Sequence, residues 1–368
     1  MNTIKKIYTL LIMACSIWSC RDQTNMSFAD LLPEKFDKAN IIEEEEYNVW
    51  GTNIVKGKDG KYHAIYSRWL KSRGHLGWAT HSEIAHAVSE HLTGPYVFKN
   101  LVLAPRGNEY WDGDCTHNPH VVEYEGNYYL YHMGNHGSGH WYTTPNDTMP
   151  KMKDEEWWVN RNHQRIGVAV ADDLNGQWKR FDKPLVDIDS SKRLVSTPVV
   201  SIRTDGKFLM VYKYVKEKEG IYGGRVVHVT ALADSPLGPF EDTGIPFIET
   251  EASKFALDDH VEWFQDGKYY CIGKDHDGSL TPYDRGTMVL YTSDEKGLDW
   301  TLADQPLVLK AGKLHWTDGS VTLCERTADM PKLYFEESEP KALVIAVLPK
   351  DSEISFSLVI PLFNQSTK

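Results

Sequence analysis

The sequence predicts an all-β protein, a five-bladed β-propeller whose antiparallel blades surround a central channel. Three observations carry that expectation. First, an apolar strand, a turn and an aromatic strand recur as NIVKGKDGKYHAIYSRW, HVVEYEGNYYLYHMG, PVVSIRTDGKFLMVYKY and VEWFQDGKYYCIGKD, with a degraded fifth copy, PKLYFEESEPKALVIAV. Second, the turns fall at positions 59, 125, 205, 266 and near Ser338-Glu339, giving steps of 66, 80, 61 and 72 residues by subtraction. Third, each of the first four copies is followed by another strand, a Gly-containing tight turn and an aromatic: IAHAVSEHLTGPYVF, IGVAVADDLNGQWKRF, VVHVTALADSPLGPFED and TMVLYTSDEKGLDWTL. A unit of three or four strands repeated in register, with no long helical pattern between copies, marks a propeller. A two-sheet sandwich would not explain the self-similarity.

Each hairpin follows from local chemistry. Strict alternation of β-branched or aromatic residues with polar ones gives a strand of period two. Asp-Gly or Glu-Gly between two such runs gives the tight connection. The largest interruption is Gly137–Arg165, rich in Trp, Asn and Pro, placed between the second blade's inner hairpin and its next strand. A long loop on a rigid scaffold is commonly functional, and Trp141, Tyr142, Trp157 and Trp158 favour that reading here.

Composition narrows the function. The chain has 368 residues, 41% hydrophobic and 25% charged, ordinary for a globular domain. A net charge of −12 argues against a general nucleic-acid or anionic-membrane binder and is silent about a neutral sugar. No P-loop, dinucleotide fingerprint or G-x-S-x-G motif is present.

The N-terminus reads as a targeting segment. Lys5 and Lys6 precede the apolar run Ile7–Trp18, too short to span a bilayer comfortably, then Ser19-Cys20. This resembles a bacterial lipoprotein signal cleaved before a lipidated Cys20, with Cys15 as the rival site and an ordinary secretion signal as the plainer alternative. The expected organisation is a signal over 1–20, a polar tether over 21–46 ending in the acidic run Glu43–Glu46, and a propeller over 47–368. The expected location is the cell envelope of a diderm bacterium, lipid-anchored in the periplasm or at the outer surface, the lipid being the only membrane contact. Cys115, Cys271 and Cys324 make no disulfide framework or zinc pair; Cys115 reads as a buried spectator rather than a nucleophile.

In a propeller the inner strands line the channel, so residues about eight before each turn should converge at one mouth. Those words are Trp50-Gly51-Thr52-Asn53, His117-Asn118-Pro119-His120, Ser196-Thr197-Pro198 and Asp258-Asp259-His260. For the fifth blade, His315-Trp316-Thr317-Asp318 and Glu325-Arg326 lie near the start. Asp and His concentrated at such positions would be strange in a packed core and natural at a polar mouth.

This pattern resembles the five-bladed propeller glycoside hydrolases, chiefly family 43 and relatives including family 117, over about Tyr47 to Leu348. The resemblance implies a general base Asp on the first blade, a pKa-tuning Asp on the third and a general acid Glu on the fourth. Position by position, Asp258 or Asp259 stands at the acid's place, Thr197-Pro198 replaces Asp-Pro, Gly51 stands at the base's place, and His120 replaces an Asp after the retained Pro119. Some relatives hold a channel cation, so a structural calcium is compatible with the fold; no spacing motif supports a metal, and no cofactor is required.

A glycosidase needs a proton donor and a second carboxylate. The expected catalytic group is therefore Asp258 or Asp259 with Asp114, joined by His117, His120 and His260, with Glu325 in reserve. Trp50, Asn53, Trp111, Asp112, Thr197, Trp316 and Asp318 are the expected sugar-binding residues, although tryptophan in propellers commonly packs between blades. The function expected is release of sugars from oligosaccharides derived from a complex polysaccharide. A non-catalytic glycan-binding propeller and, further off, a polysaccharide lyase are the alternatives.

Overall fold

The computed structural model describes residues 27–216 and 221–363; Cys15, Cys20 and the lipoprotein reading lie outside them. Strand β1 (Ile41–Ile42) comes first, then four four-stranded sheets and a fifth that takes β1 back as its outer edge. Blade I is β2 (Tyr47–Lys56), β3 (Tyr62–Leu70), β4 (Glu83–Ser89) and β5 (Val97–Leu103). Blade II is β6 (Cys115–Tyr124), β7 (Asn127–Asn135), β8 (Arg165–Ala171) and β9 (Lys179–Arg180). Blade III is β10 (Val195–Ile202), β11 (Phe208–Val215), β12 (Val226–Ala233) and β13 (Glu241–Pro246). Blade IV is β14 (Leu257–Gln265), β15 (Lys268–Asp275), β16 (Met288–Ser293) and β17 (Trp300–Leu309). Blade V is β18 (Lys313–His315), β19 (Val321–Glu336), β20 (Glu339–Pro349) and β21 (Phe356–Pro361). All sheet pairs are antiparallel, so the molecule is the predicted five-bladed propeller.

The inner hairpins close as their sequences require. Glu125-Gly126 (φ 49° and 77°), Asp266-Gly267 (50° and 82°) and Glu337-Ser338 (51° and 65°) have both central residues left-handed, the turn that matches strand twist. The fifth turn thus sits one residue before the predicted Ser338-Glu339, with Glu336 paired to Glu339.

The core is five apolar wedges between neighbouring blades. Ile65 of β3 packs with Leu130 of blade II, while its neighbours Ala64 and Tyr66 pack with Val344 of blade V. Met210 points to blade II, and Leu209 and Val211 to blade IV. Alternation therefore buries both faces of each second strand, which is why these strands are nearly continuously apolar.

Residues 28–46 are not a free tether. Phe28, Phe36 and Ile42 are buried, and Ile41 and Ile42 pair with Leu358 and Ser357 of β21. Within the acidic run, Glu44 accepts from Arg68 at 2.6 Å and from the Tyr66 hydroxyl at 2.7 Å, so it is not simply solvated. Apolar residues spaced among charges hid this strand.

Candidate active site

Every inner strand carries a one-residue β-bulge at the same height. The register shifts between Trp50 and Asn53, His117 and His120, Ser196 and Val199, Asp258 and His260, and Asp329 and Lys332. Four bulges hold a left-handed residue: Gly51 (φ 61°), Asn118 (53°), Thr197 (53°) and Met330 (49°). A β-branched Thr there is strained by about 1–3 kcal/mol, a cost typical of constrained sites. Bulges re-aim side chains, and these five turn theirs toward the channel mouth.

The structure thereby corrects the fifth blade. Its bulge word is Asp329-Met330-Pro331-Lys332, not His315–Asp318 or Glu325-Arg326. Trp316 is buried, donates to Thr322 Oγ1 at 2.8 Å and bridges to Phe36. Asp318 is exposed, pairs with Lys38 at 2.9 Å and caps a turn at Ser320. Glu325 is exposed on β19. Two signals pointed to this word, of which Asp329 is the first residue. The offset of eight that gives Gly51, His117, Thr197 and Asp258 lands on Met330 when taken from Ser338, and Met330-Pro331 repeats the X-Pro of Asn118-Pro119 and Thr197-Pro198.

Three carboxylates on blades IV and V meet at this mouth. Asp258 lies 2.7 Å from Lys213 Nζ, 3.3 Å from His276 Nδ1 and 4.0 Å from Lys274 Nζ. Burial alone would raise its pKa, but Lys213, His276 and Lys274 together hold it well below the usual carboxylate range. Asp259 accepts a hydrogen bond from the Met330 amide at 3.1 Å, with Lys213 3.8 Å away. Burial, helped by the negative charge of Asp258, raises its pKa to about 6. Asp329 is ion-paired with Lys274 and, at 3.0 Å, with Arg326; despite burial these cations lower its pKa. Two carboxylates held ionised by cations thus flank one whose proton affinity is raised to about 6.

The other wall is aromatic. His117 is buried, exchanges a hydrogen bond with Ser82 Oγ at 2.8 Å and stacks on Trp78 at 5.3 Å. Trp50 meets His75 at 5.1 Å and Trp69 at 6.5 Å. Burial lowers the pKa of His117 to about 3 and that of His75 to about 4, so both are neutral rings. Thr197 accepts from Asn118 Nδ2 at 3.2 Å, and Asn53 accepts from the Val121 amide at 2.6 Å, tying blades together.

The remaining predicted residues are engaged in other contacts. Asp114 accepts from His136, the Gly137 amide and Asn160 at 2.7–2.9 Å, anchoring the insertion after β7. That insertion carries the helix Glu155–Asn162, whose Trp157 and Trp158 join Trp141 and Ala79 in a small buried cluster. Asp112 is buried with Arg106 at 2.7 Å and Arg180 at 3.2 Å. Trp111 stacks on His132 at 5.5 Å within blade II.

Deeper in the channel, His120, His260, Glu262 and Lys332 form a second buried cluster. Lys332 Nζ lies 3.4 Å from His120 Nδ1, and His260 lies 3.7 Å from Glu262. Burial raises the pKa of Glu262 to about 8 and lowers that of His120 to about 3. Calcium needs six or more hard oxygen ligands. One carboxyl group that retains its proton, imidazoles and a lysine ammonium do not suit it, and among the described residues no group of three or more His, Cys, Asp or Glu could hold a metal.

No protein-family model matches the chain, and no curated protein matches it. Solved structures do. Zg3597, a family 117 glycoside hydrolase of the marine bacterium Zobellia galactanivorans, is 13% identical, with 91% of this chain and 92% of that chain covered at a TM-score of 0.57. BT0996, solved as an RGII complex, is 14% identical over 92% of this chain and 93% of its own, with a TM-score of 0.62. CoXyl43, a family 43 β-xylosidase/α-arabinofuranosidase from a compost microbial metagenome, in complex with xylotriose in a calcium-free form, is 14% identical over 89% and 96%, at 0.56. The chain has the five-bladed propeller fold of these glycoside hydrolase structures.

Proposed function

We propose that the chain is a glycoside hydrolase acting on oligosaccharides from a complex polysaccharide, with Asp259 as general acid. The observation that carries this reading is the bulge at Asp258-Asp259, where one carboxylate is ion-paired and its neighbour has a raised proton affinity. Titratable groups pushed apart in this way are suited to proton donation at one and charge stabilisation at the other. In this reading Asp259 protonates the leaving oxygen. Asp329, across the Met330 backbone, activates water, and Asp258 keeps the Asp259 pKa high. The trio then occupies blades IV and V instead of the first, third and fourth blades. Trp50, Trp78 and His117 supply the stacking wall. Lipidation at Cys20 would hold the enzyme at the cell envelope.

The binding-only reading draws on Gly51 and Thr197, which offer no carboxylate at the mouth. Incubation with plant and algal oligosaccharides, followed by product analysis, separates the alternatives. A hydrolase releases saturated sugars, a lyase releases products absorbing in the near ultraviolet, and a binder depletes nothing. Absence of saturated products across substrates that bind would end the hydrolase reading.

A further inference from the structure

Pairing resumes after the five bulges at Asn53, His120, Val199, His260 and Lys332, one residue from each blade. Two of these reach each other. Lys332 belongs to blade V and His120 to blade II, yet Lys332 Nζ lies 3.4 Å from His120 Nδ1, and both side chains are buried. The apolar wedges join blades I and II, II and III, III and IV, IV and V, and V and I, so blades II and V are not neighbours in the ring. The Lys332–His120 contact therefore crosses the channel.

His120 is fixed from both sides. Its Nε2 lies 2.8 Å from the Val200 carbonyl oxygen, which can only accept, so Nε2 carries the ring proton. Burial lowers the His120 pKa to about 3, which keeps the ring neutral and leaves Nδ1 with its lone pair. An ammonium can only donate, and Lys332 presents one to that lone pair. Burial lowers the Lys332 pKa to about 8, so the amine still carries its charge at neutral pH. A metal ion binds a neutral histidine through the same kind of lone pair. At His120 Nδ1, Lys332 and a metal ion exclude each other.

We propose that the Lys332 ammonium is the channel's own cation, donated to His120 Nδ1 where a metal ion would otherwise bind, so that the propeller carries no resident divalent ion there. A calcium site in this fold is thereby replaced by a charge covalently tied to β19. The inference goes beyond the glycosidase reading and does not depend on it, because its contacts lie below the Asp258-Asp259 bulge and its readouts need no turnover.

Elemental analysis of the wild-type protein, exchanged into metal-free buffer, should find no stoichiometric calcium or transition metal. Its melting temperature should move by less than about 1 °C on adding a chelator or millimolar calcium, whereas an ion bound only by the folded state would raise it by mass action. Nitrogen-15 spectra of the histidines, with His120 identified by its loss in His120→Gln, should show a proton on Nε2 and a hydrogen-bonded Nδ1. Lys332→Met keeps most of the lysine shape but cannot donate. It should shift the Nδ1 signal toward that of a free imidazole nitrogen, with circular dichroism showing the fold retained. A stoichiometric divalent ion, a melting temperature lowered by chelator or raised by calcium, a proton on Nδ1, or an Nδ1 signal unmoved in folded Lys332→Met overturns the proposal. The wild-type measurements decide it if Lys332→Met does not fold. Failure of the glycosidase reading, seen as absence of saturated products, would leave every one of these readouts unchanged.

Discussion

Asp258 and Asp259 are separated by one peptide bond and differ in proton affinity because Lys213 approaches Asp258 at 2.7 Å and Asp259 only at 3.8 Å. A general acid must be protonated, so activity should fall as pH rises through the Asp259 pKa, about 6. Asp258→Asn removes the charge that raises that pKa and frees Lys213 to lower it further. The alkaline limb of the kcat/KM profile should move to lower pH; an unmoved limb would remove Asp258 from the tuning role. The aspartate pair was legible from its offset before the turn. Asp114 was not correctly legible, because a carboxylate that ties down a loop and one that handles protons look alike in sequence. Only its three donors, from residues 136–160, separate the roles.

At the scale of elements, the hairpins could be read directly because period-two patterning and left-handed turn residues are local properties. The bulges could not, since an extra residue in one strand shows only against its partner; β18 and β19 obscured the fifth for the same reason. The insertion after β7 was correctly placed, but its tryptophans form a small core of their own with Ala79. Asp114→Ala should therefore destabilise that insertion, leaving buried donors unpaired at about 1–3 kcal/mol. Limited proteolysis should then cut within residues 136–164 before the blades unfold. Cleavage there no faster than in the wild type would show that Asp114 is not the anchor.

Across the whole molecule, β1, the first strand among the described residues, pairs with the last, β21, where blades I and V meet. Ile42 packs in the wedge between blades I and V, so Ile42→Ala should cost about 2–5 kcal/mol and lower the single thermal transition. A loss under about 0.5 kcal/mol, the level of an ordinary surface change, would mean that β1 is dispensable. This contact was hidden in the sequence because pairing between positions 41 and 358 leaves no local trace. The proposed lipid anchor at Cys20 is tested separately from all of this. Cys20→Ala should shift the protein from membrane to soluble fractions with the fold unchanged, and retention in the membrane fraction would exclude Cys20 as the lipidated residue.

The most direct test is turnover by Asp259→Asn on two substrates that share a sugar, one with an unactivated leaving group and one with a good leaving group. The unactivated substrate should lose about 10²–10⁴-fold in kcat, the usual contribution of a positioned general acid, while the activated one loses far less and the melting temperature holds. Equal losses on both substrates, or wild-type rates on the unactivated one, would contradict the assignment of Asp259 as the proton donor.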